Sequence, residues 1–546
     1  MKRYHGVPAS AGTAIAVTAV VERGADFPGL KPEGVHASGK DALDNFEQAL
    51  LACIEQVDLS REKTLHSLGE ESAAIFEAYA ALLADPYLTD PIRSLIEGGM
   101  DETEAVEQAL EQTAGIFERA KDEYMRQRAD DIRNLKTMLL QKLSGVCTSV
   151  RFPEGDGPVA VAADSLSPTD TMAMDQDRLA ALITHQGGST AHVVILARTL
   201  GIPAVTGIDQ AGEIPAGVTI IVDGNTGEVI VEPDEEALSK AAEQICEEQD
   251  FAAMLRTLPD SEAVTKDGET VHVSVNIGKS SDLDGLNLTP LFGVGLYRTE
   301  FLFLDRAVCP REEEQAEEYG KVFDALEGKD LIIRTLDIGG DKQIPYLDLP
   351  KEDNPFLGCR GIRLCLAHED LFRTQIRALL RASKGRPFSV MFPMINTAEE
   401  YRSARAIWDD ESRRCRREGL DISDEIRIGV MIETPSAVLM ADELAAAVDF
   451  ASIGTNDLTQ YILAADRGNT GTGVEQTPFA PAVERAIAHV IRTFREAGVK
   501  LSVCGEAGSD PEYLTLMIRM GLRYVSVNRA AADRIRYCIT QTTARA

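Results

Sequence analysis

Residues 426–435, IRIGVMIETP, and residues 450–458, FASIGTNDL, each begin as an apolar β-type run and turn polar just before a helical pattern resumes. Six more runs repeat the design: VHVSVNIG (271–278), FGVGLYRTE (292–300), LIIRTLDIGG (331–340), FSVMFPMI (388–395), KLSVCGEA (500–507) and RYVSVNR (523–529). Strands that are apolar throughout and alternate with helices belong to a parallel sheet covered on both faces. An open doubly wound sheet is one arrangement of such units. Eight units of this length fit a (β/α)₈ barrel better, since that fold takes about 250 residues. The polar strand endings favour the barrel too: Arg298, Glu300, Arg334, Asp337, Glu433, Asn456, Asp457 and Cys504 lie at or just past C-terminal ends, where a barrel gathers its chemistry.

Upstream the pattern changes. Residues 236–258 are acidic, Ala-rich and helical in spacing, a connector between two halves. Before them, GTAIAVTAVV (12–21), GPVAVAADSL (157–166), LAALITHQGG (179–188) and GVTIIVDGNTGEVIVEP (217–233) read as strands of a smaller α/β domain. Residues from about 40 to 143 instead carry helical periodicity, as in AAIFEAYAALLADP (73–86) and TEAVEQALEQTAGIFERAKDEYM (103–125). A helical bundle is therefore inserted into the small α/β domain.

At 546 residues, a length beyond one ordinary core, several domains are expected. Hydrophobic residues make up 44% and charged residues 26%, with no tract long enough to span a bilayer. The opening MKRYHGVPASAGTAIAV reads as a short strand rather than an export signal. Nine scattered cysteines never stand as CxxC, which argues against a disulfide framework or structural zinc and for a reducing, cytoplasmic compartment. With 88 acidic against 55 basic residues the formal charge is -33, which repels nucleic acid and anionic membranes.

Against that field an anionic substrate needs local cations. A unit charge pair at 4 Å is worth about 1 kcal/mol in water but about 4 kcal/mol at an effective dielectric of 20, so a partly closed pocket outweighs distant net charge. Arg298, Arg334, Arg360, Arg363 and Arg467 can supply guanidinium forks suited to phosphate and carboxylate. Glu433 and Asp457 end successive strands and suit Mg²⁺, with Mn²⁺ not distinguished; salt bridges to the arginines are the alternative. Cys504 ends the seventh barrel strand, where a thiol can protonate a carbanion or enolate carbon, or serve simply as core.

The run ITHQGGSTAHVVILARTLGIPAVTG (183–207) reads as strand, glycine turn and helix. Ser189 or Thr190 can cap, Ala191 to Leu200 is helical, Gly201 suits the position after the helix, and Pro203 stops it. His192 then sits in the first turn, where the helix dipole disfavours imidazolium and favours an attached phosphoryl dianion. A neutral imidazole there can act as a nucleophile. His185 is the competing histidine; preceding the glycine turn, it is expected to fill space beside it.

This segment is similar to the phosphohistidine signature of enzyme I of the phosphoenolpyruvate-dependent sugar phosphotransferase system: Gly187-Gly188-Ser189-Thr190-Ala191-His192, with Ala197-Arg198 following. Residues 164–171 resemble that family's Leu-Thr-Pro-Ser element, which implies that Thr171 lies near the histidine. In the barrel half, GVGLYRTEFLF, RTLDIGGDK, DNPFLG and SIGTNDLTQYILAADRGN resemble the phosphoenolpyruvate-binding barrel shared with pyruvate phosphate dikinase and phosphoenolpyruvate synthase. By resemblance, Arg298, Arg334 and Arg467 hold the phosphate with Asn456 beside them. Glu433 and Asp457 hold the metal, with Asp457 also at the substrate, Cys504 is the proton donor, and Arg360 is supporting.

The resemblance implies a phosphohistidine α/β domain (1–32 and 146–235), an inserted helical domain (33–145), a linker (236–262) and a phosphoenolpyruvate-binding, dimerising barrel (263–546). It further implies autophosphorylation of His192 with release of pyruvate, transfer to a small histidine-containing phosphocarrier protein, and a homodimer. Domain order separates the relatives: a dikinase or synthase carries a large ATP-binding domain before its histidine domain, whereas strands and a helical bundle are expected before Gly187 here. A component of such an enzyme, or a regulatory phosphoprotein that senses phosphoenolpyruvate, are the rival readings. His185, Ala191 and Asn528 depart from the family's usual residues, and the stop at Ala546 predicts that no helix follows the last strand.

Overall fold

The computed structural model describes residues 1–22, 40–68, 70–118, 123–144, 149–164, 166, 174–185, 192–304, 306, 308–339, 344, 346, 347, 349, 352–466 and 477–545. It divides into two compact units, Met1–Ala252 and Ala253–Ala546.

The first unit carries a mixed sheet of β1 (Lys2–His5), β2 (Val7–Ser10), β3 (Thr13–Glu22), β4 (Ser149–Arg151), β5 (Val159–Ala163), β6 (Leu179–Thr184), β7 (Ala204–Thr206), β8 (Thr219–Asp223) and β9 (Glu228–Val231). Its order is β1-β9-β8-β3-β5-β6-β7-β2, with β4 paired to β3. Strands β3, β5, β6 and β7 run parallel. β5 reads VAVAA because both its faces are covered. Val159, Val161 and Ala163 pack with Val193, Val194, Leu196 and Ala197 of the helix His192–Leu200, while Ala160 and Ala162 pack on the opposite face with Ala181 and Ile183. That helix ends as its sequence dictates: Gly201 takes φ +67°, and the N–H of Ile202 donates to the Ala197 carbonyl at 2.9 Å.

Between β3 and β4 in the chain lie the helices Lys40–Leu68, Glu70–Leu83, Pro86–Glu97, Glu102–Glu118 and Glu123–Ser144. They share a core that includes Phe46, Val57, Tyr79, Ile92, Ile96, Val106 and Leu110. Asp85-Pro86 marks a start rather than a break, since the Asp85 carboxylate accepts the Tyr87 N–H and Pro86 stands first in the helix. The connector is the helix Glu235–Leu255. Ala241 packs with Ile221 and Ile230, and Glu248 accepts from the N–H of Thr13 and the amide of Asn225.

In the second unit, β10 (Ala263–Val264) pairs antiparallel with β11 (Thr270–Ile277). β11, β12 (Gly293–Arg298), β13 (Asp330–Arg334), β14 (Phe388–Phe392), β15 (Ile426–Ile432), β16 (Phe450–Gly454), β17 (Lys500–Cys504) and β18 (Tyr524–Asn528) are parallel neighbours in sequence order, and β18 pairs with β11. The sheet is a closed barrel. Leu296, Ile332, Met391, Met431, Phe450 and Cys504 form one cluster, while alternate strand residues such as Val294, Ile333, Val390, Val430, Ile453 and Val503 join the core shared with the helices. The C-terminal ends of the parallel strands therefore share one rim, where the polar residues that end or follow β12, β13, β15, β16 and β17 lie.

The expected lack of a terminal helix is wrong. The helix Ala532–Gln541 follows β18 and buries Ala532, Ile535, Arg536 and Ile539, an i, i+3, i+4, i+7 stripe. Arg536 donates to the carbonyls of Pro259 and Ser261, tying this helix to the chain that enters the barrel. Ten residues suffice because packing, not propensity, supports a short helix. Ile539→Ala is expected to destabilise the second unit by about 2–5 kcal/mol, measured by urea unfolding. A midpoint unchanged to within about 0.5 kcal/mol would show the helix to be undocked.

Candidate active site

The residue ending β13, Arg334, is buried, and its guanidinium lies between two carboxylates. Nη2 donates to Glu300, which follows β12, and Nη1 lies 3.0 Å from Asp337. Arg360 is also buried; it reaches Asp337 at 3.3 Å, Asp457 at 3.1 Å and the Tyr461 hydroxyl at 3.2 Å. Asp337 thus bridges two arginines. Burial alone would lower both guanidinium pKa values, but Glu300, Asp337, Glu433 and Asp457 around Arg334, and Asp337, Asp457 and Glu433 around Arg360, drive them upward instead. Both stay charged.

Two buried guanidinium groups therefore face four buried carboxylates. The excess negative charge shows on Glu433, which directly follows β15 and is fully buried. Its Oε1 accepts the Met394 N–H at 2.6 Å, whereas Oε2 has no hydrogen-bond partner among the described residues. Burial, then Asp457 and Asp337, push its pKa up to about 8. Gly454 leaves room for this carboxylate: a Cβ there would stand 2.9 Å from Glu433 Oε2. Met394 holds φ +56°, a left-handed conformation unusual outside glycine. That turn presents its N–H to Glu433.

A buried oxygen with no partner, in a pocket with excess negative charge, is the environment a divalent cation relieves. Glu433 and Asp457 fit magnesium, which takes one or two protein carboxylates together with water and substrate oxygens. Among the described residues no group of three or more His, Cys, Asp or Glu side chains is set to enclose an ion. Asp457 realises the competing expectation of a salt bridge to an arginine, and Glu433 forms no ion pair among the described residues.

Arg298 ends β12 half-buried, its guanidinium 5.0 Å from the centre of the Phe301 ring and its Nε buried without a hydrogen-bond partner among the described residues. Among the described residues it forms no ion pair with a carboxylate, unlike Arg334 and Arg360. A cation so placed is available to an anionic ligand. Cys504 is 1% exposed; its Sγ accepts from Ser452 Oγ at 3.3 Å and lies 3.5 Å from the Ile453 carbonyl oxygen. Burial pushes the thiol pKa up to about 11, so the proton stays on sulfur at neutral pH. Asn456 Oδ1 accepts the N–H of Glu506 at 3.1 Å, which joins the ends of β16 and β17.

The structure thus gathers Arg334, Arg360, Glu433 and Asp457, with Glu300 and Asp337, into one charged cluster, and Arg334, Glu433 and Arg298 lie near enough to influence the Cys504 thiol. Arg363 does not join; it donates to the carbonyls of Leu357 and Gly358. Arg467 and Thr171 lie outside the described residues. In the first unit the helix His192–Leu200 carries the expected histidine in its first described turn, and Ala191 lies outside the described residues. His185 does not fill space: it is exposed, with Nδ1 3.3 Å from Asp209. Sequence reasoning missed Met394, Gly454 and Ser452, which carry no reactive group; the signal for Gly454 was its place directly before Thr455-Asn456-Asp457 at a strand end.

Three matches cover most of the chain: residues 5–128 match PEP-utilising enzyme, N-terminal; residues 155–227 match PEP-utilising enzyme, mobile domain; residues 252–544 match PEP-utilising enzyme, PEP-binding domain. A phosphoenolpyruvate-protein phosphotransferase of Bacillus sp. (strain S) is 41% identical over 535 residues, 96% of this chain and 91% of that protein. The protein of the same name from Priestia megaterium is 40% identical over 546 residues, 99% of this chain and 94% of its own length. This chain belongs to the phosphoenolpyruvate-protein phosphotransferases. In this family member the charged cluster falls within the match to the PEP-binding domain, and His192 within the match to the mobile domain. The relatives carry the phosphotransferase name, which favours that reading over a dikinase or synthase component.

Glu433 gives this phosphotransferase a pH-dependent stability whose sign is fixed. Its folded pKa is raised above the unfolded carboxylate value, so in metal-free protein its contribution is fully present below the unfolded value and is lost as pH rises through about 8. Chemical unfolding in a chelator-containing buffer is expected to show stability falling from pH 5 to 8, with a shallower fall in Glu433→Gln. Equal slopes would contradict the assignment.

Proposed function

We propose that this enzyme transfers the phosphoryl group of phosphoenolpyruvate to His192 and then to a histidine of a small phosphocarrier protein. The observation that carries the reading is the barrel rim where, among the described residues, Arg298 has no carboxylate partner and the charged cluster contains an unpartnered carboxylate oxygen. Arg298 and Arg334 would orient the phosphoryl oxygens, and Arg467 and Asn456 would complete the cradle. Arg360 would hold Asp457 and Asp337 in place through its ion pairs. When bound, magnesium, or manganese on the same donors, would neutralise charge on substrate oxygens from Glu433 and Asp457.

The imidazole lone pair of His192 forms the N–P bond as the bridging P–O bond of phosphoenolpyruvate breaks, leaving the electron pair on the enolate oxygen. Cys504, protonated at neutral pH because it is buried, donates its proton to the enolate carbon and pyruvate results. Ser452 donates to the sulfur and so supports the thiolate that this step leaves. His192 and the arginine cluster belong to different units, so turnover requires the two to meet. Thr171 is assigned to support of the histidine.

The helices between Lys40 and Ser144 would dock the carrier, and the barrel unit would form a homodimer. We place the enzyme in the cytoplasm, at the head of a phosphoryl relay that serves sugar uptake; no described helix is long and apolar enough to cross a membrane. Incubation with phosphorus-labelled phosphoenolpyruvate and Mg²⁺ is expected to label the chain, and His192→Ala to abolish the label. Label that persists in this variant, or maps to His185, would overturn the assignment.

A further inference from the structure

We infer that Gln375, on an outer helix behind the barrel wall, is a positioning residue that fixes the arginine-bearing ends of β12 and β13. The inference rests on the proposed site. Gln375 lies in the helix Glu369–Ser383 and is 1% exposed. Its Oε1 accepts the N–H of Leu336 at 3.0 Å, and its Nε2 donates to Thr299 Oγ1 at 3.0 Å and to the Tyr319 hydroxyl at 3.3 Å. Thr299 Oγ1 passes its own hydrogen to the Arg334 carbonyl at 2.8 Å. The Tyr319 hydroxyl donates to Gln315, and Gln315 donates to the Pro310 carbonyl.

The bonds of this relay run in one consistent direction, and Thr299, Gln315 and Tyr319 are all fully buried. The bonds fall on the segments that need them. Leu336 stands between Arg334 and Asp337, where the pairing of β13 to its neighbours has ended. Thr299 stands between Arg298 and Glu300, in a short 3₁₀ turn. One amide therefore sets the spacing between the Arg298–Glu300 and Arg334–Asp337 segments without touching a ligand. Only an amide can do this: Glu ionised would have no donor, and Met or Leu would leave the Leu336 N–H buried and unpaired. Tyr319 is the titratable group facing Gln375, and burial keeps its phenol neutral.

The test uses the full chain, phosphoenolpyruvate with Mg²⁺, and the rate of His192 labelling. Gln375→Met is expected to lower kcat/KM for phosphoenolpyruvate at least tenfold while cooperative unfolding is retained. Gln375→Glu is expected to recover activity relative to the unsubstituted chain as pH falls from 8 to 6, because a protonated carboxyl regains one donor; a residue that only fills space would show no such recovery. Should Gln375→Met fail to fold, the pH profile of Gln375→Glu carries the test. Arg334→Lys serves as the control. If it abolishes labelling while Gln375→Met stays within twofold and Gln375→Glu shows no pH recovery, the positioning role is overturned and the site reading stands. If Arg334→Lys labels normally, the site reading itself fails and this inference with it.

Discussion

The barrel rim is organised by unequal buried charge: Arg334 and Arg360 against Glu300, Asp337, Glu433 and Asp457. Removing one member of a buried ion pair costs about 3–5 kcal/mol because the other is left uncompensated. The cluster therefore behaves as a unit. Burial first, and then the neighbouring Asp457 and Asp337, raise the pKa of Glu433, one of whose oxygens has no hydrogen-bond partner among the described residues. In the proposed reading a cation would meet carboxylates already in place, which is how preorganised electrostatics lowers a barrier without rearrangement.

Local structure is spent on keeping this arrangement in place. Met394 adopts a left-handed backbone to aim one N–H, Gly454 gives up a side chain to make room, and Asn456 ties two strand ends together. Behind them the uncharged relay through Gln375, Thr299 and Tyr319 holds the backbone of the arginine-bearing segments. The carboxylates set the charge and the relay sets the spacing. Each strand contributes little alone, and barrel closure by β11 and β18 turns eight strand ends into one rim.

Much of the barrel was legible because its strands are apolar on both faces and then turn polar at one end, a pattern that survives without tertiary information. Arg334, Glu433 and Asp457 were legible as charges at those ends. Their pairing was not: nothing in the spacing says that Arg360, from a segment beyond β13, reaches both Asp337 and Asp457. Met394, Gly454 and Gln375 escaped notice because they act through a backbone amide, an absent Cβ and a neutral amide, none of which has a distinctive residue type. The terminal helix was missed for a different reason. Its stripe of Ala532, Ile535 and Ile539 is short, and its stability comes from a groove that only the folded barrel provides.

Divalent cation binding measures the central claim most directly. Manganese, followed by electron paramagnetic resonance in the presence of phosphoenolpyruvate, should occupy a single tight site on the unsubstituted chain and lose it in a chain carrying Gln at position 433. Undiminished manganese binding by that variant would contradict the account, because the excess buried negative charge would then be neutralised by something other than a metal held at Glu433.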